Sequence, residues 1–251
     1  MKKTKIGFLD SGIGGVTVLK ECIKLVRDYE YVYYSDSFNN PYGDKSSEEL
    51  IKIVEKVVLT LVVKGCNVIV MACNTACCMC ANVLREKYPD IKIIAIEPAI
   101  KLVHDKENAD NTLIMATKGT MDSEKFHELY DKYSGNNCYL LSCVGLANLI
   151  EEGKKEEISK YLEESLSFYK GKVTSIVLGC THYPLIKDEI REVLGNVNFY
   201  DGANGVARQL MRILTDNNYE SCGEFGIEFI DSSRDEWKRV RFFEILEGDY
   251  E

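Results

Sequence analysis

Short apolar runs alternate with amphipathic helical patterns along most of this chain, and this alternation constrains the fold more than any other feature. Several of the runs are continuous and rich in Val and Ile, as in 67–72, which is typical of parallel strands covered by helices on both faces. We therefore predict an α/β protein of the doubly wound kind. The predicted strands are 5–9, 31–35, 67–72, 91–96, 112–116, 138–141, 173–178 and 197–200. The predicted helices are 16–26, 48–63, 123–133, 158–169, 185–194 and 207–215.

Charge and hydropathy limit the classes of partner. Lys and Arg total 31 against 40 Asp and Glu, which gives a net charge of −9 and argues against nucleic acid or an anionic membrane as the main partner. No apolar stretch reaches the roughly 18 residues of a membrane-spanning helix. The apolar run at 6–9 is too short for a signal peptide, so we expect a cytosolic protein.

Two of the ten cysteines stand in similar sequence settings. A reducing compartment favours catalytic, metal-binding or buried thiols over disulfides. Cys73 in VIVMACNTA and Cys180 in SIVLGCTHYP each follow an apolar strand and precede hydroxyl or amide residues. The carboxyl edge of a parallel sheet is where open α/β folds place their sites, and helix-start amides favour a thiolate. His182, two residues beyond Cys180, could exchange a proton with it.

A glycine-rich turn follows the first predicted strand. Asp10, Ser11 and Gly12 lead into Gly14-Gly15, but Thr17 stands where a dinucleotide fingerprint requires its third glycine. The Lys-Ser/Thr pair of a P-loop is also missing. The turn therefore predicts an acid and a hydroxyl at a sheet edge, where glycines give close access.

A second cysteine pattern suggests iron–sulfur chemistry. Cys73, Cys77 and Cys80 have the C-x3-C-x2-C spacing of radical enzymes that use S-adenosylmethionine. The pattern continues directly into a helical segment, whereas a cluster requires a loop. We therefore interpret Cys77, Cys78 and Cys80 as packing residues and predict no metal site.

Taken together, the motifs resemble a known family. The matching segments lie in order between residue 6 and about residue 202: IGFLDSGIGGVTVLKE (6–21), PYGDKS (41–46), MACNTA (71–76), IEPAIK (96–101), ATKGT (116–120) and LGCTHYPLI (178–186). They are similar to those of the glutamate racemases, within the cofactor-independent aspartate/glutamate racemase superfamily. The resemblance implies two pseudo-symmetric α/β domains with open, mainly parallel, flavodoxin-like sheets that face each other across a cleft. We place the first domain at 1–97 plus 206–251 and the second at 98–205.

The resemblance also implies roles for individual residues. Cys73 and Cys180 would be the two proton-transfer thiols, with Asp10 assisting the first thiol. His182 and Glu151 would assist the second, with the adjacent Glu152 as the alternative to Glu151. The substrate-binding residues would be Asp10, Ser11, Tyr42, Gly43, Asn74, Thr75, Thr117, Thr120, Thr181 and His182.

The expected activity is interconversion of L- and D-glutamate without a cofactor, and the family's D-glutamate is used in bacterial peptidoglycan. Three alternatives stay open: a racemase for aspartate or another amino acid, an iron–sulfur radical enzyme, and a two-lobed binding protein without turnover. Paired thiols argue against the binding protein, which has no use for them. The sequence leaves open whether the protein is a monomer or a homodimer.

Overall fold

Parallel strands in two sheets form the framework of the protein. The computed structural model describes residues 4–106, 110–221 and 223–248. Within these ranges every strand pairing is parallel, and helices surround both sheets. The predicted fold class, α/β with two parallel sheets, is confirmed.

The first sheet has the strand order β4-β3-β1-β2-β9. Its strands are β1 (Lys5–Asp10), β2 (Glu30–Ser35), β3 (Cys66–Met71), β4 (Lys92–Ala95) and β9 (Gly226–Asp231). The central strand β1 is buried from Ile6 to Asp10, as expected for a strand with helices on both faces. Four of these strands were predicted, and β9 was missed.

The second sheet has the order β6-β5-β7-β8. Its strands are β5 (Thr112–Ala116), β6 (Tyr139–Ser142), β7 (Ser175–Gly179) and β8 (Asn198–Tyr200). The central strands β5 and β7 are buried along their whole length. All four strands agree with the prediction to within about two residues.

The helices cover the faces of the two sheets. They are α1 (Val16–Leu25), α2 (Ser47–Val63), α3 (Asn74–Lys87), α4 (Ile100–Asp105), α5 (Lys118–Met121), α6 (Glu124–Tyr133), α7 (Leu146–Glu151), α8 (Lys155–Leu166), α9 (Lys187–Leu194), α10 (Ala203–Asp216) and α11 (Glu236–Glu247). The part of the chain that the structure describes contains no helix that is long and apolar enough to cross a membrane.

The helix predictions were correct in type but less accurate at the ends. Helix α10 starts at Ala203 rather than at 207, because Asp201 Oδ1 accepts a hydrogen bond from the Ala203 N–H at 3.0 Å. Helix α9 starts at Lys187, since Tyr183–Ile186 forms a separate 3₁₀ turn. Helix α11, like β9, was missed.

The positions of the strands agree with the predicted division of the chain. The first sheet takes its strands from 1–97 and 206–251, and the second takes its strands from 98–205. The exact domain boundaries stay a prediction. Side chains and backbone at the carboxyl edges of the two sheets contact each other, and the predicted site residues lie there.

Candidate active site

Three strand ends bring the predicted catalytic groups together. Asp10 is the last residue of β1, Cys73 follows β3 by two residues, and Cys180 follows β7 directly. The carboxyl ends of parallel strands lie at one edge of their sheet, so the two thiols belong to the edges of different sheets. Both thiols line the same cavity.

Cys73 is buried at the N-cap position of α3, with 5% of its surface exposed. Its Sγ donates to Ser11 Oγ at 3.8 Å. Burial raises the pKa of the Cys73 thiol well above its ordinary value, and the negative charge of Asp10 raises it further. Hydrogen bonds with the Ala76 N–H and with Ser11 oppose this rise without overcoming it. The environment therefore favours the protonated thiol, and Cys73 needs a base in order to become a thiolate.

Among the predicted site residues, Asp10 is the carboxyl group that is best suited to act as this base. It is fully buried, and its Oδ2 accepts a hydrogen bond from the Gly15 N–H at 2.7 Å. Burial raises the pKa of Asp10 from 3.8 to about 6, although the nearby His182 and the Gly15 N–H lower it. A carboxyl group with a pKa near neutrality can both take up and release a proton under physiological conditions.

Cys180 has a different environment, because it lies at the end of a hydrogen-bonded chain. Cys180 Sγ is 3.7 Å from His182 Nδ1, and His182 Nε2 is 2.6 Å from Glu151 Oε2. All three side chains are buried, with exposed fractions of 8%, 3% and 3%. Glu152, the alternative to Glu151, is exposed and forms an ion pair with Lys154. Between the two glutamates, the geometry selects Glu151 as the partner of His182.

The Glu151–His182 pair is charged. Burial opposes charge on both groups, but their mutual hydrogen bond and attraction dominate. The hydrogen bonds of His182 with Cys180 and with Glu151 raise the pKa of His182 well above its ordinary value, and His182 lowers the pKa of Glu151. His182 Nδ1 lies 3.7 Å from the Cys180 sulfur and can exchange a proton with it.

Glycines allow the two sheet edges to approach each other. A Cβ atom on Gly12 would lie 2.5 Å from Glu151 Oε2, and one on Gly14 would lie 2.4 Å from His182 Nδ1. On the other side of the cleft, a Cβ on Gly119 would lie 2.8 Å from the carbonyl oxygen of Gly43. The glycine-rich turn after β1 thus gives close access to side chains of the other sheet.

The cavity between the edges holds about 700 Å³ of space, part of it open to solvent, which is suitable for a small molecule. Ten of the predicted site residues line it: Ser11, Tyr42, Gly43, Cys73, Asn74, Thr75, Thr117, Cys180, Thr181 and His182. The other three, Asp10, Glu151 and Thr120, are buried and do not line it.

Three threonines connect the two halves at one side of the cavity. Thr75 Oγ1 lies 2.8 Å from Thr117 Oγ1 and 3.2 Å from Thr120 Oγ1, and the latter two hydroxyls are 2.9 Å apart. Thr120 therefore contacts the lining residues Thr75 and Thr117 from behind, rather than facing the cavity.

About half of the residues that line the cavity were not predicted from the sequence. The additional residues are Asn40, Pro41, Asp44, Lys118, Cys143, Val144, Gly145, Ala147 and Asn148. Those at 40–44 flank the recognised Tyr42-Gly43 pair, so extending that segment would have found them. The loop at 143–148 carries no pattern that marks a site, although Asn40 Nδ2 donates to Asn148 Oδ1 at 3.1 Å across the cavity. Lys238, which contacts Glu151, was also missed.

Of the three cysteines predicted to pack, Cys77 and Cys80 are buried in the core, whereas Cys78 is half-buried. Cys80 is fully buried in the core beside the first sheet, and Cys77 Sγ donates to the carbonyl oxygen of Met71 at 3.0 Å. Burial raises the pKa of both thiols. Among the described residues, no three His, Cys, Asp or Glu side chains are arranged to hold a metal ion. Cys222 lies outside the described residues.

Comparison with known proteins identifies the family of this chain. The family model described as Asp/Glu/Hydantoin racemase matches residues 6–210. Among curated relatives, the glutamate racemase of Clostridium perfringens is 42% identical over 226 residues, covering 88% of this chain and 87% of the relative. The glutamate racemase of Clostridium kluyveri is 44% identical over 221 residues, covering 86% of each chain.

A solved structure agrees with this result. The crystal structure of glutamate racemase isoform RacE1 from Bacillus anthracis has a TM-score of 0.83 and 26% identity, covering 100% of this chain and 96% of that chain. The family model spans both sheets except β9, and it includes both thiols and the Glu151–His182 pair. The chain therefore belongs to the Asp/Glu/hydantoin racemase family, a family of isomerases, as its motifs predicted.

Proposed function

We propose that this protein is a cofactor-independent glutamate racemase that moves the α-proton between two thiols. The observation that carries the proposal is the presence of Cys73 and Cys180 on facing sheet edges in one cavity. Inversion of an α-carbon requires removal of a proton from one face and delivery of another to the opposite face. Two thiols on opposite sides can do this while the substrate stays in one orientation.

The two thiols have different groups beside them for proton transfer. Cys180, which lies 3.7 Å from His182 Nδ1, removes the α-proton of L-glutamate while the Cys73 thiol donates to the other face. In the reverse direction Asp10 takes the proton of Cys73, and Cys73 then removes the α-proton of D-glutamate. Cys180 donates in that direction and recovers its proton through His182.

Fixed polar groups would stabilise the carbanion-like transition state. Ser11, Thr75 and Thr181 line the cavity with hydroxyl groups, and the N-terminus of α3 presents backbone N–H groups to a carboxylate. Asn74 Oδ1 is buried without a hydrogen-bond partner among the described residues, so it can accept a hydrogen bond from the substrate ammonium.

Early-time isotope incorporation tests the two-thiol mechanism. In heavy water, we expect the product enantiomer to carry deuterium at its α-carbon from its first appearance, while the remaining substrate keeps hydrogen. Cys73→Ala and Cys180→Ala should each abolish racemisation, because either change leaves one face without its acid or base. Cys80→Ala, another buried cysteine of α3, is the matched control and should retain most turnover. Substantial α-hydrogen in the first product would contradict the mechanism.

Glutamate is the proposed substrate because the Clostridium relatives, at 42–44% identity, bear that name. One methylene group changes binding by only ~1–3 kcal/mol, so some turnover of aspartate is physically allowed. Chiral chromatography of both amino acids incubated with the enzyme should give a higher kcat/KM for glutamate. A higher value for aspartate would reassign the substrate within the same family.

We also propose that the D-glutamate serves peptidoglycan synthesis. Expression of the chain should then restore growth of a bacterial strain that requires external D-glutamate. The Cys180→Ala variant, expressed at the same level, should not restore it. Failure of the active enzyme to support growth would argue against this role.

A further inference from the structure

Lys238 of helix α11 contacts Glu151, the buried carboxylate that binds His182. Lys238 of α11 places its Nζ 3.4 Å from Glu151 Oε1, and the two side chains are 15% and 3% exposed. The family model ends at residue 210, so this helix lies beyond the segment that it matches. Both the resemblance and the sequence pattern therefore left Lys238 without a role.

The Glu151 carboxylate is held from three directions. His182 Nε2 contacts Oε2 at 2.6 Å, and the Ile13 N–H lies 3.0 Å from Oε2 and 3.2 Å from Oε1. The third contact is made by Lys238, whose Nζ lies 3.4 Å from Oε1. A buried carboxylate that loses one of its partners must reorient or gain a proton, because burial penalises an unpaired charge.

Other charged groups act on the same pair. Asp10 approaches from the end of β1 and interacts electrostatically with both His182 and Glu151. Cys180 contacts His182 from the end of β7. Burial and nearby charges, including that of Glu151, raise the pKa of the Tyr33 hydroxyl on β2. Among the described residues that contact Glu151, Lys238 supplies positive charge from outside the His182–Cys180 pair.

We propose that Lys238 is a positioning residue for the Cys180 side of the reaction. By binding Oε1 of Glu151, its ammonium group keeps Oε2 directed at His182 Nε2, and the ring thereby keeps Nδ1 directed at the Cys180 sulfur. Lys238 does not line the main cavity and therefore acts through Glu151 rather than on the substrate. The proposal rests on the proposed two-thiol function.

Kinetic isotope effects distinguish positioning from a general loss of structure. Lys238→Met keeps the apolar stem and removes the charge, whereas Lys238→Arg keeps the charge. Arg239→Met is the matched control on the same helix, since Arg239 pairs with Glu236 at the exposed surface. Racemisation of L- and D-glutamate, each with and without deuterium at the α-carbon, is measured in both directions by circular dichroism.

We expect kcat of Lys238→Met to fall about 10-fold, because the buried Glu151 carboxylate loses an ion-pair partner, with a smaller change in KM. Proton transfer at Cys180 becomes more rate-limiting. The isotope effect on kcat/KM should therefore rise for deuterated L-glutamate and fall for deuterated D-glutamate. Lys238→Arg should recover most of the turnover, and Arg239→Met should resemble the unmodified enzyme.

Unchanged isotope effects in both directions, or a Lys238→Met turnover equal to that of Arg239→Met, would overturn the proposal. Isotope effects do not depend on the concentration of folded enzyme, so partial unfolding of Lys238→Met does not obscure the result. Failure of the function itself has a different signature. In that case the unmodified enzyme would not racemise glutamate, or a variant lacking Cys73 or Cys180 would still do so.

Discussion

Burial at the residue scale sets the protonation of the groups at the site. The Cys73 thiol is next to a buried carboxyl group, Asp10, whereas the Cys180 thiol is next to an imidazole, His182. Burial and the Asp10 carboxyl group raise the pKa of the Cys73 thiol, whereas His182 places a ring nitrogen 3.7 Å from the Cys180 sulfur. The two cysteines follow strands at the edges of different sheets, but different ionisable groups lie beside them.

Because the pKa of Asp10 is raised, its ionised carboxyl group lowers the stability of the folded protein near neutral pH. Its pKa is 3.8 ordinarily and about 6 in the folded state, so between these pH values the folded protein retains a proton that the unfolded chain has released. The contribution of Asp10 to stability therefore falls as the pH rises through this window, and it is lowest above about pH 6.

Asp10→Asn should consequently stabilise the protein at pH 8 by about 1–3 kcal/mol, which is a rise of several degrees in Tm. The gain should shrink as the pH falls through 6 towards 4, where Asp10 is protonated in the folded state and nearly half protonated in the unfolded chain. Racemisation should fall by about 100-fold or more, because the base is lost. Thermal unfolding at both pH values and a racemisation assay check this expectation. Asp131→Asn, on the exposed surface of α6, should change neither.

At the scale of elements, the turn between β1 and α1 serves as a contact surface for the other sheet. Its glycines leave room for the Glu151 carboxylate and the His182 ring. The Tyr33 hydroxyl of β2 donates a hydrogen bond to the carbonyl oxygen of Gly12 at 3.0 Å and so stabilises the turn. The position of this turn therefore limits where His182 can lie relative to Cys180.

Gly14→Ala should displace His182, because the new Cβ would lie 2.4 Å from its Nδ1. A shift of about 1 Å in a catalytic group can cost about 100-fold in turnover, and we expect a loss of that order. Gly205→Ala in α10 is the matched control, since nothing lies within 4 Å of its Cβ position. It should retain activity and gain ~0.5–1 kcal/mol of stability from its helical position. Near-normal turnover of a folded Gly14→Ala protein would refute this account of the turn.

At the scale of the whole molecule, the chain returns to its first sheet at the end. Strand β9 pairs with β2 along six residues, and α11 packs Phe242 against the same region. The Phe242 ring is fully buried, 4.6 Å from the ring of Tyr33 and 4.5 Å from that of Phe229. The same helix carries Lys238, so its docking also places this lysine at Glu151.

Phe242→Ala should therefore destabilise the protein by about 3–5 kcal/mol, the typical cost of a cavity left by a buried phenylalanine. Urea denaturation followed by circular dichroism measures the change. Val240→Ala on the same helix is the control, because Val240 is 52% exposed and its truncation should change stability by less than about 0.5 kcal/mol. Equal stabilities of the two variants would show that α11 does not contribute to the core of the first sheet.

The sequence by itself determined the elements whose pattern is local. Apolar runs predicted the strands β1 to β8, and the clearest of them are the central strands β1, β5 and β7, which are apolar because both of their faces are covered. The pattern failed for β9, an edge strand in which the exposed Glu228 interrupts the apolar residues. It also failed for α11, whose apolar residues include the exposed Val240 and do not form a single stripe. The motifs around Cys73 and Cys180 identified the family, since the residue types in them are specific even without coordinates.

Only the tertiary structure decided how distant groups meet. Glu151 and Glu152 are equivalent in sequence, and burial against Ile13 and His182 distinguishes them. Lys238 carries no sequence signal because an ion pair depends on the distance between two charges rather than on either residue's neighbours. The spacing of Gly12 and Gly14 already excluded a phosphate-binding turn, but only the structure shows that the side chains of Glu151 and His182 occupy the space beside them. Local sequence patterns fix the strands and helices, whereas distances and burial between the two sheet edges fix the chemistry.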